Sequence, residues 1–567
     1  MSVRQLFIVG EGMVSLTLNK KEPSATSSRV PPQGTAPTRS SKGGQRVSAG
    51  GSNGVASESA ENPLNSARAF RYGRMLPRGN SNGVNNQGLI DLGLEMHKDT
   101  ADPNNGPAAD SNLPAGYTYL GQFITHDITF DRTVNIADGE LDAKQIRQGR
   151  TPSLELDSLY GLGPLSASSR HIYENDCLHF KIGKTTPTLV GNLQVEYPND
   201  LPRDISNPAN PRKALIAEPR NDRNLALAQT HLAFLKFHNA VVNYLAEDGL
   251  LGRELFEAAR KKVIQHYQCI VLEDYLSKIL DDSVLTSVRK DVLANGAKRL
   301  TNSKESGLFL PVEFSFAAFR FGHSLVRDKY EWNRVFETPA PNAPNNGVHR
   351  MDGARLHQLF TLTGANGNLG GAKTLPTNWA IDWTRFYDFS EFKGITNNPK
   401  SNRARKISTT LSIGLKGIPG FPADIPIESR SVAVLDLQMG AMLSLPTGQE
   451  AARKFKLDPI EEKLIAEGPH QKILEEYGFH QKTPLWYYIM KEAEIENSGE
   501  RLGQVGSRIV AETIYGLIKS SEYSILKDPT WKPDLWQIKR DEFGMADLLI
   551  FIQKHSYDGI DPINPVG

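Results

Sequence analysis

The residues of this sequence that could do chemistry at a small polar ligand occur in three segments. In YLGQFITHDITFD, Gln122 and His126 are four positions apart, so on a helix both side chains project from one face. A neutral imidazole can accept a proton, and the neighbouring amide can hold a water molecule or an anion. This spacing also arises by chance, so the pair gains meaning only beside other residues.

Arg220 and His323 are the candidates in the other two segments. Arg220, in AEPRNDRNLALAQTHLAFLKFHN, precedes a helix expected to begin near Asp222, where the positive end of the helix dipole also favours developing negative charge. His323, in FSFAAFRFGHSLVRDKY, is predicted to lie in an aromatic helix, and Gly322 permits the close approach of a bulky group. Taken singly, Arg220 also fits a solvated arginine, and His323 also fits a buried core histidine.

Helical periodicity dominates the elements that must position these residues. In NLALAQTHLAFLKFHNAVVNYLAEDG, apolar residues recur close to every 3.6 positions, and the run ends at Gly249. Comparable patterns cover ELFEAARKKVIQHYQCIVLEDYLSKIL, DPIEEKLIAEG, PLWYYIMKEAEI and VGSRIVAETIYGLIKSS. Long polar connections at 335–375 and 390–410 separate the helices, and alternating strand patterns are scarce. The predicted fold class is mainly α: a single large domain of packed helices with long loops and little β structure.

The composition excludes several classes of protein. Hydrophobic residues make up 39% and charged residues 23% of 567 residues, and the net charge is +1, so neither nucleic acid nor an anionic membrane is an expected partner. Two cysteines, Cys177 and Cys269, without CxxC or CxxCH, disfavour a disulfide framework, a thiolate metal site and c-type haem attachment. Sparse cysteine favours a cytoplasmic location over a secreted one. No apolar run is long enough to predict a transmembrane segment.

The N-terminal region differs from the rest of the chain. Residues 22–66 are rich in Ser, Gly, Pro, Thr and Asn, so they cannot bury enough apolar surface to offset the entropy of ordering. The first residues contain a short apolar patch that only weakly suggests a signal peptide. The predicted organisation is a low-complexity tail over 1–66 and one catalytic domain over 67–567.

Three motifs together resemble the animal-type haem peroxidases, the superfamily that also includes the cyclooxygenases. They are YLGQFITHDITFD, the Arg220 segment with HLAFLKFHN behind it, and FAAFRFGHSLV, in that order. The resemblance runs from about Phe70 to residue 530 and is closest to the bacterial members, through PLWYYIMKEAE and LGQVGSRIVAE. It implies a haem-dependent enzyme that reduces hydrogen peroxide and oxidises small electron donors such as iodide, thiocyanate and phenols.

The resemblance assigns roles to individual residues. His126 matches the distal histidine, which moves a proton between the two oxygens of peroxide. Arg220 matches the distal arginine, which stabilises charge on the departing oxygen, and Gln122 matches the glutamine that holds water or a halide. His323 matches the proximal iron ligand, and Arg320 the arginine beside the haem propionates.

Departures from the family pattern concern the haem. Thr125 and Arg223 stand where mammalian members form two ester bonds, and Asn224 replaces the sulfonium-forming methionine, so the resemblance implies non-covalent haem b. Asp436, in SVAVLDLQMGAMLSLPTGQ, replaces an asparagine that hydrogen-bonds the proximal histidine. A carboxylate there makes the imidazole a stronger donor and lowers the reduction potential of the iron. Met439 replaces a second propionate-side arginine.

The resemblance also implies calcium. Asp127 matches a calcium ligand, and TPSLELDSLYG matches the calcium loop, which offers Thr151, Ser153 through its carbonyl, Glu155 and Asp157. Hard oxygen donors at alternate positions suit this ion. Glu155 and Asp157 stand in place of the family's Asp and Ser, which puts the affinity in question.

Two other functions remain open. The fatty-acid dioxygenases and cyclooxygenases of the same superfamily need a tyrosine three residues before the proximal histidine, and Arg320 occupies that position here. A non-catalytic haem-binding or sensing protein would have lost the distal residues, yet Gln122, His126 and Arg220 are all present. Both observations favour the peroxidase.

Overall fold

The computed structural model describes 4–7, 13–16, 71–79, 85–98, 109–131, 141–146, 148–296, 308–339, 351–418, 424–535, 541–556 and 561–566. The predicted low-complexity segment 22–66 lies outside these residues. In the described ranges the chain forms sixteen α-helices: α1 Asn86–Glu95, α2 Gly116–Ile128, α3 Asp157–Tyr160, α4 Leu225–Ala246, α5 Gly252–Cys269, α6 Leu276–Ile279, α7 Asp282–Asn295, α8 Val312–Phe316, α9 Leu356–Thr361, α10 Val432–Met442, α11 Gly448–Lys454, α12 Glu462–Ala466, α13 Gln471–Glu476, α14 Leu485–Asn497, α15 Gln504–Ser520 and α16 Met545–His555.

The remaining elements are short. Ten strands pair two by two: β1 Arg4–Phe7 with β2 Met13–Leu16, β3 Tyr72–Gly73 with β6 Leu310–Pro311, β4 His97–Lys98 with β10 Leu411–Ser412, β5 Asp110–Pro114 with β9 Arg403–Arg405, and β7 Lys329–Tyr330 with β8 Ala354–Arg355. Two of these pairs, β3–β6 and β4–β10, are parallel. The 3₁₀ turns include Pro219–Asp222 and Ala318–Leu325, and a π-helical segment, Ile270–Tyr275, links α5 to α6. The prediction of a mainly α fold with little β structure is confirmed.

The central helices pack around α4, the longest helix of the described residues. The side chain of Asn224 caps α4 by accepting the backbone N–H groups of Ala226 and Leu227. Helix α2 lies against α4, with the rings of Phe123 and Phe234 stacked at 4.5 Å between centroids. Helices α5 and α16 also pack on α4. No helix in the described part of the chain is long and apolar enough to cross a bilayer.

One local prediction is wrong, and a second is confirmed with a different type of helix. The helix expected to begin near Asp222 begins at Leu225, because the cap at Asn224 sets its start and Pro219–Asp222 forms a separate 3₁₀ turn. His323 does lie in a helix, but it is the 3₁₀ helix Ala318–Leu325, which the non-helical backbone of Ala317 (φ −140°, ψ −73°) separates from α8. In a 3₁₀ helix the side chains at i and i+3 lie in line, which aligns Arg320 with His323.

Candidate functional site

One cavity brings three of the predicted residues together. Gln122 lines it from α2, and Arg320 and His323 line it from the 3₁₀ helix Ala318–Leu325. Apolar side chains form much of its wall: Phe314, Phe319, Val326, Leu356, Phe360 and Leu415. A cavity with few polar groups converging inside apolar walls is the usual form of a cofactor site.

His323 presents one ring nitrogen for a metal. Its Nδ1 donates to Asp436 Oδ2 at 2.7 Å, and Asp436 is buried. The hydrogen bond expected between these two residues is therefore present. Because Nδ1 keeps its proton and donates it in this hydrogen bond, the lone pair of the neutral ring is at Nε2. A Cβ added at the cavity-lining Gly322 would meet no atom within 4 Å, so there is open space beside the imidazole. These features fit a haem iron bound at Nε2.

Arg320 shares the same carboxylate. Its Nη1 donates to Asp436 Oδ1 at 2.6 Å, and its Nε donates to the carbonyl oxygen of Ser315 at 3.0 Å. Both ionic side chains are buried. The guanidinium charge draws electron density from Asp436, so it opposes the electron donation that Asp436 makes through His323. Arg320 therefore acts to raise the reduction potential of a bound iron, whereas Asp436 alone would lower it.

His126 is 1% exposed and is not among the residues that line the cavity. Its Nδ1 is 2.7 Å from Asn221 Oδ1, and its Nε2 is buried with no hydrogen-bond partner in the described part of the chain. Burial, and then the charge of Arg220, hold the pKa of His126 well below its usual value. The imidazole is therefore neutral at pH 7 and able to accept a proton.

Arg220 is also buried and is not among the residues that line the cavity. Its Nε and Nη2 donate to the carboxylate of Glu218 at 2.9 Å, and Nη2 also donates to the carbonyl oxygens of His126 at 3.0 Å and Thr129 at 2.6 Å. Burial alone would raise the pKa of Glu218, but the charges of Arg220 and Arg150 hold it well below its usual range. Arg220 thus ties the C-terminal end of α2 to the 3₁₀ turn, a contact that sequence reasoning did not identify.

The predicted calcium residues are only partly brought together. Asp127 is buried and accepts from the backbone of Leu156 (3.3 Å) and from the backbone and hydroxyl of Ser158 (3.2 and 2.8 Å). Thr151 N donates to Asp157 Oδ2 at 3.2 Å. Burial and the nearby Asp157 raise the pKa of Asp127 to about 7. Two adjacent carboxylates in a buried place suit a cation.

Glu155 does not join this group. Its Oε1 accepts from the Ser521 hydroxyl and from the backbone N–H of Glu522, both at 2.6 Å. Ser153 keeps its hydroxyl buried without a hydrogen-bond partner among the described residues. Within these residues no cluster of three or more His, Cys, Asp and Glu side chains could hold a metal ion. Any calcium site here would use Asp127 and Asp157 with backbone or hydroxyl oxygens.

Comparisons with known proteins show which family and which folds this chain is similar to. Residues 184–361, which include Arg220 and His323, match the family model described as animal haem peroxidase. Heme peroxidase 2 of Caenorhabditis elegans is 25% identical over 267 residues, covering 40% of this chain and 35% of the relative. A peroxidase-like protein of Margaritifera margaritifera is 23% identical over 279 residues, covering 40% and 34%. The matches thus span about a third of the length of these relatives.

Two solved structures share the fold. Peroxidase A from Dictyostelium discoideum has a TM-score of 0.56 at 15% identity and covers 86% of this chain and 94% of that one. Fatty acid alpha-dioxygenase of Oryza sativa has a TM-score of 0.50 at 13% identity, covering 81% and 80%. The resemblance to animal haem peroxidases that the three motifs predict is confirmed by the family match.

Proposed function

We propose that this protein is a haem peroxidase that reduces hydrogen peroxide and oxidises small donors. The observation that carries the proposal is a cavity with Gln122 on one wall and His323 on another, where Asp436 holds Nδ1 of His323 and leaves Nε2 for a metal. The family match and the shared fold support it.

The chain's own residues supply binding and proton transfer. Haem, if held by His323, would supply a redox-active iron centre for the reduction of hydrogen peroxide. We propose that His126 takes the peroxide proton at Nε2 and delivers it to the outer oxygen. The Arg220 charge lowers the pKa of His126 and favours negative charge on the departing oxygen. The Gln122 amide holds a water molecule or a halide at the cavity wall.

We expect acidified acetone to extract the haem intact as haem b. Thr125 and Asn224 line the cavity, and neither side chain can form a carboxylate ester or a sulfonium bond. Without such bonds the haem keeps a lower potential, and Asp436 lowers it further although Arg320 opposes that effect.

The lower reduction potential of a non-covalently bound haem also predicts which donors are oxidised. The steady-state rates are measured at neutral pH, after the haem has been shown to be extractable with acid acetone. Iodide, thiocyanate and phenols are oxidised, bromide is oxidised weakly, and chloride negligibly. Haem that stays with the protein in acid acetone would reveal a covalent link. Rapid chloride turnover would show that the argument about potential has the wrong sign.

We expect calcium removal to loosen α2. Asp127, on α2, is bonded to the loop that carries Thr151 and Asp157, so an ion there would join the helix to the loop. Asp127→Ala and chelation should each lower the melting temperature, and chelation should have no further effect on Asp127→Ala. Asp248→Ala, which removes an exposed aspartate just after α4, is the control. Elemental analysis that finds no calcium in active, untreated protein would contradict this prediction.

One experiment separates the peroxidase from the two alternatives. The optical spectrum of the haem-loaded protein is followed on adding peroxide, and guaiacol and iodide turnover are then measured. Oxygen uptake with palmitic acid tests the dioxygenase reaction, for which Tyr119 and Tyr275, both lining the same cavity, are the phenol candidates. Peroxide turnover without oxygen uptake supports the proposal. Haem binding with neither activity would indicate a non-catalytic haem protein.

A further inference from the structure

His126 is the first of three side chains joined by hydrogen bonds, which we call the distal relay: His126, Asn221 and His231. His126 Nδ1 is 2.7 Å from Asn221 Oδ1, and Asn221 Nδ2 is 2.8 Å from His231 Nδ1. The three residues are 1%, 0% and 0% exposed. The Nε2 atoms of both histidines are buried without a hydrogen-bond partner among the described residues.

The amide of Asn221 determines which nitrogen of each ring carries the proton. Its Oδ1 can only accept, so His126 Nδ1 donates and His126 Nε2 holds the lone pair. Its Nδ2 can only donate, so His231 Nδ1 accepts and the His231 proton is on Nε2. Burial lowers the pKa of His231 to about 3, so this ring carries one proton at pH 7.

The relay is anchored in three elements. His126 belongs to α2, Asn221 to the 3₁₀ turn Pro219–Asp222, and His231 to α4. The backbone N–H of Asn221 donates to the carbonyl oxygen of Glu218 at 3.0 Å, which holds the turn. The His231 ring also contacts Phe123 of α2, at 5.9 Å between centroids. The amide therefore faces both rings from a backbone that is itself fixed.

We propose that Asn221 and His231 are positioning residues that hold His126 as its Nδ1–H tautomer, with Nε2 free to accept a proton. The inference rests on the proposed function and adds to it, because a base for peroxide needs that lone pair. His231 acts through Asn221: by accepting from Nδ2, it keeps the amide from turning over. If the three side chains only satisfied one another's hydrogen bonds, their loss would lower stability and leave the tautomer of His126 unchanged.

The test reads the tautomer directly. In the diamagnetic ferrous carbon monoxide complex, ¹⁵N-histidine spectra distinguish a protonated from an unprotonated ring nitrogen. We expect the wild-type protein to show His126 with Nδ1 protonated and Nε2 bare. Asn221→Leu, which keeps the branching at Cγ but removes the amide, should show both tautomers of His126. Its reaction with peroxide should be at least about 10-fold slower, toward the loss expected when a general base is removed.

Gln229→Leu is the matched control. Gln229 is a buried amide on the same helix as His231, and its Oε1 accepts from Asn199 Nδ2 at 2.9 Å. This variant loses buried amide hydrogen bonds but should keep both the His126 tautomer and the peroxide rate. The control therefore distinguishes the general effect of losing a buried amide from the specific effect of breaking the distal relay.

The outcomes are distinct. An unchanged tautomer in Asn221→Leu, or a wild-type His126 protonated at Nε2, overturns the relay. If Asn221→Leu does not hold haem, His231→Leu decides by the same spectrum: mixed tautomers support the relay, and a retained Nδ1–H tautomer overturns it. The tautomer is read without peroxide, so a relay-dependent tautomer in a protein inert to peroxide would support the relay and contradict the proposed peroxidase.

Discussion

We expect His323→Ala to abolish stable haem binding. His323 is the one histidine among the described residues that line the cavity, and its Nδ1 hydrogen bond to Asp436 leaves Nε2 as the metal donor. The other polar side chains of the lining include Gln122 and Arg320, which are poor ligands for haem iron. The lining phenols Tyr119 and Tyr275 are poor replacements too, because burial raises the pKa of both and disfavours the phenolate that would bind iron. Haem content per chain and the Soret band measure the loss.

His357→Ala is the control for this variant. His357 is exposed and directly follows Leu356, which lines the cavity, so it is a nearby histidine outside the predicted role. We expect it to bind haem as the wild-type protein does. Normal haem content and an unchanged Soret band in His323→Ala would contradict the proposal that His323 binds the haem iron.

We expect His126→Ala to slow the peroxide step by roughly 10²–10⁴-fold, the usual cost of losing a general base, while haem stays bound. Stopped-flow spectra after peroxide addition give the rate. Because burial and Arg220 lower the pKa of His126, the imidazole stays neutral to below pH 6.5. The wild-type rate should therefore hold down to that pH and fall only when the ring is protonated. His266→Ala, a buried histidine on α5, should react at the wild-type rate.

Arg220→Ala should slow the same step by a similar order, through lost charge stabilisation. The structure adds a second effect, because Glu218 loses one of its two arginine partners. Removing a partner from a buried ion pair costs about 3–5 kcal/mol of folding free energy. The rate is therefore compared at a temperature where the variant is folded. Wild-type rates in both His126→Ala and Arg220→Ala would show that their assigned roles are wrong.

Local pattern was enough to predict much of the helical framework. The apolar period in the segment after Asn224 predicted α4, because helix geometry depends on near neighbours. The four-residue spacing of Gln122 and His126 predicted only that the two would share a face if the segment were helical, and of the two only Gln122 lines the cavity. The pairing of His323 with Asp436 came only through the family resemblance. The 3₁₀ geometry at His323 was missed because an aromatic, apolar run is compatible with either type of helix.

Sequence alone determined the mainly α class, the motif order and the residue types able to hold haem and move a proton. Tertiary structure alone decided which of them meet. His126 reaches Asn221 across 95 residues, Arg320 reaches Asp436 across 116, and Glu155 is drawn to Ser521 across 366. Periodicity reports contacts within one turn of a helix, whereas these contacts depend on how separate elements pack. The orientation of a buried amide or carboxylate depends on this packing, because each must form its hydrogen bonds within the folded core.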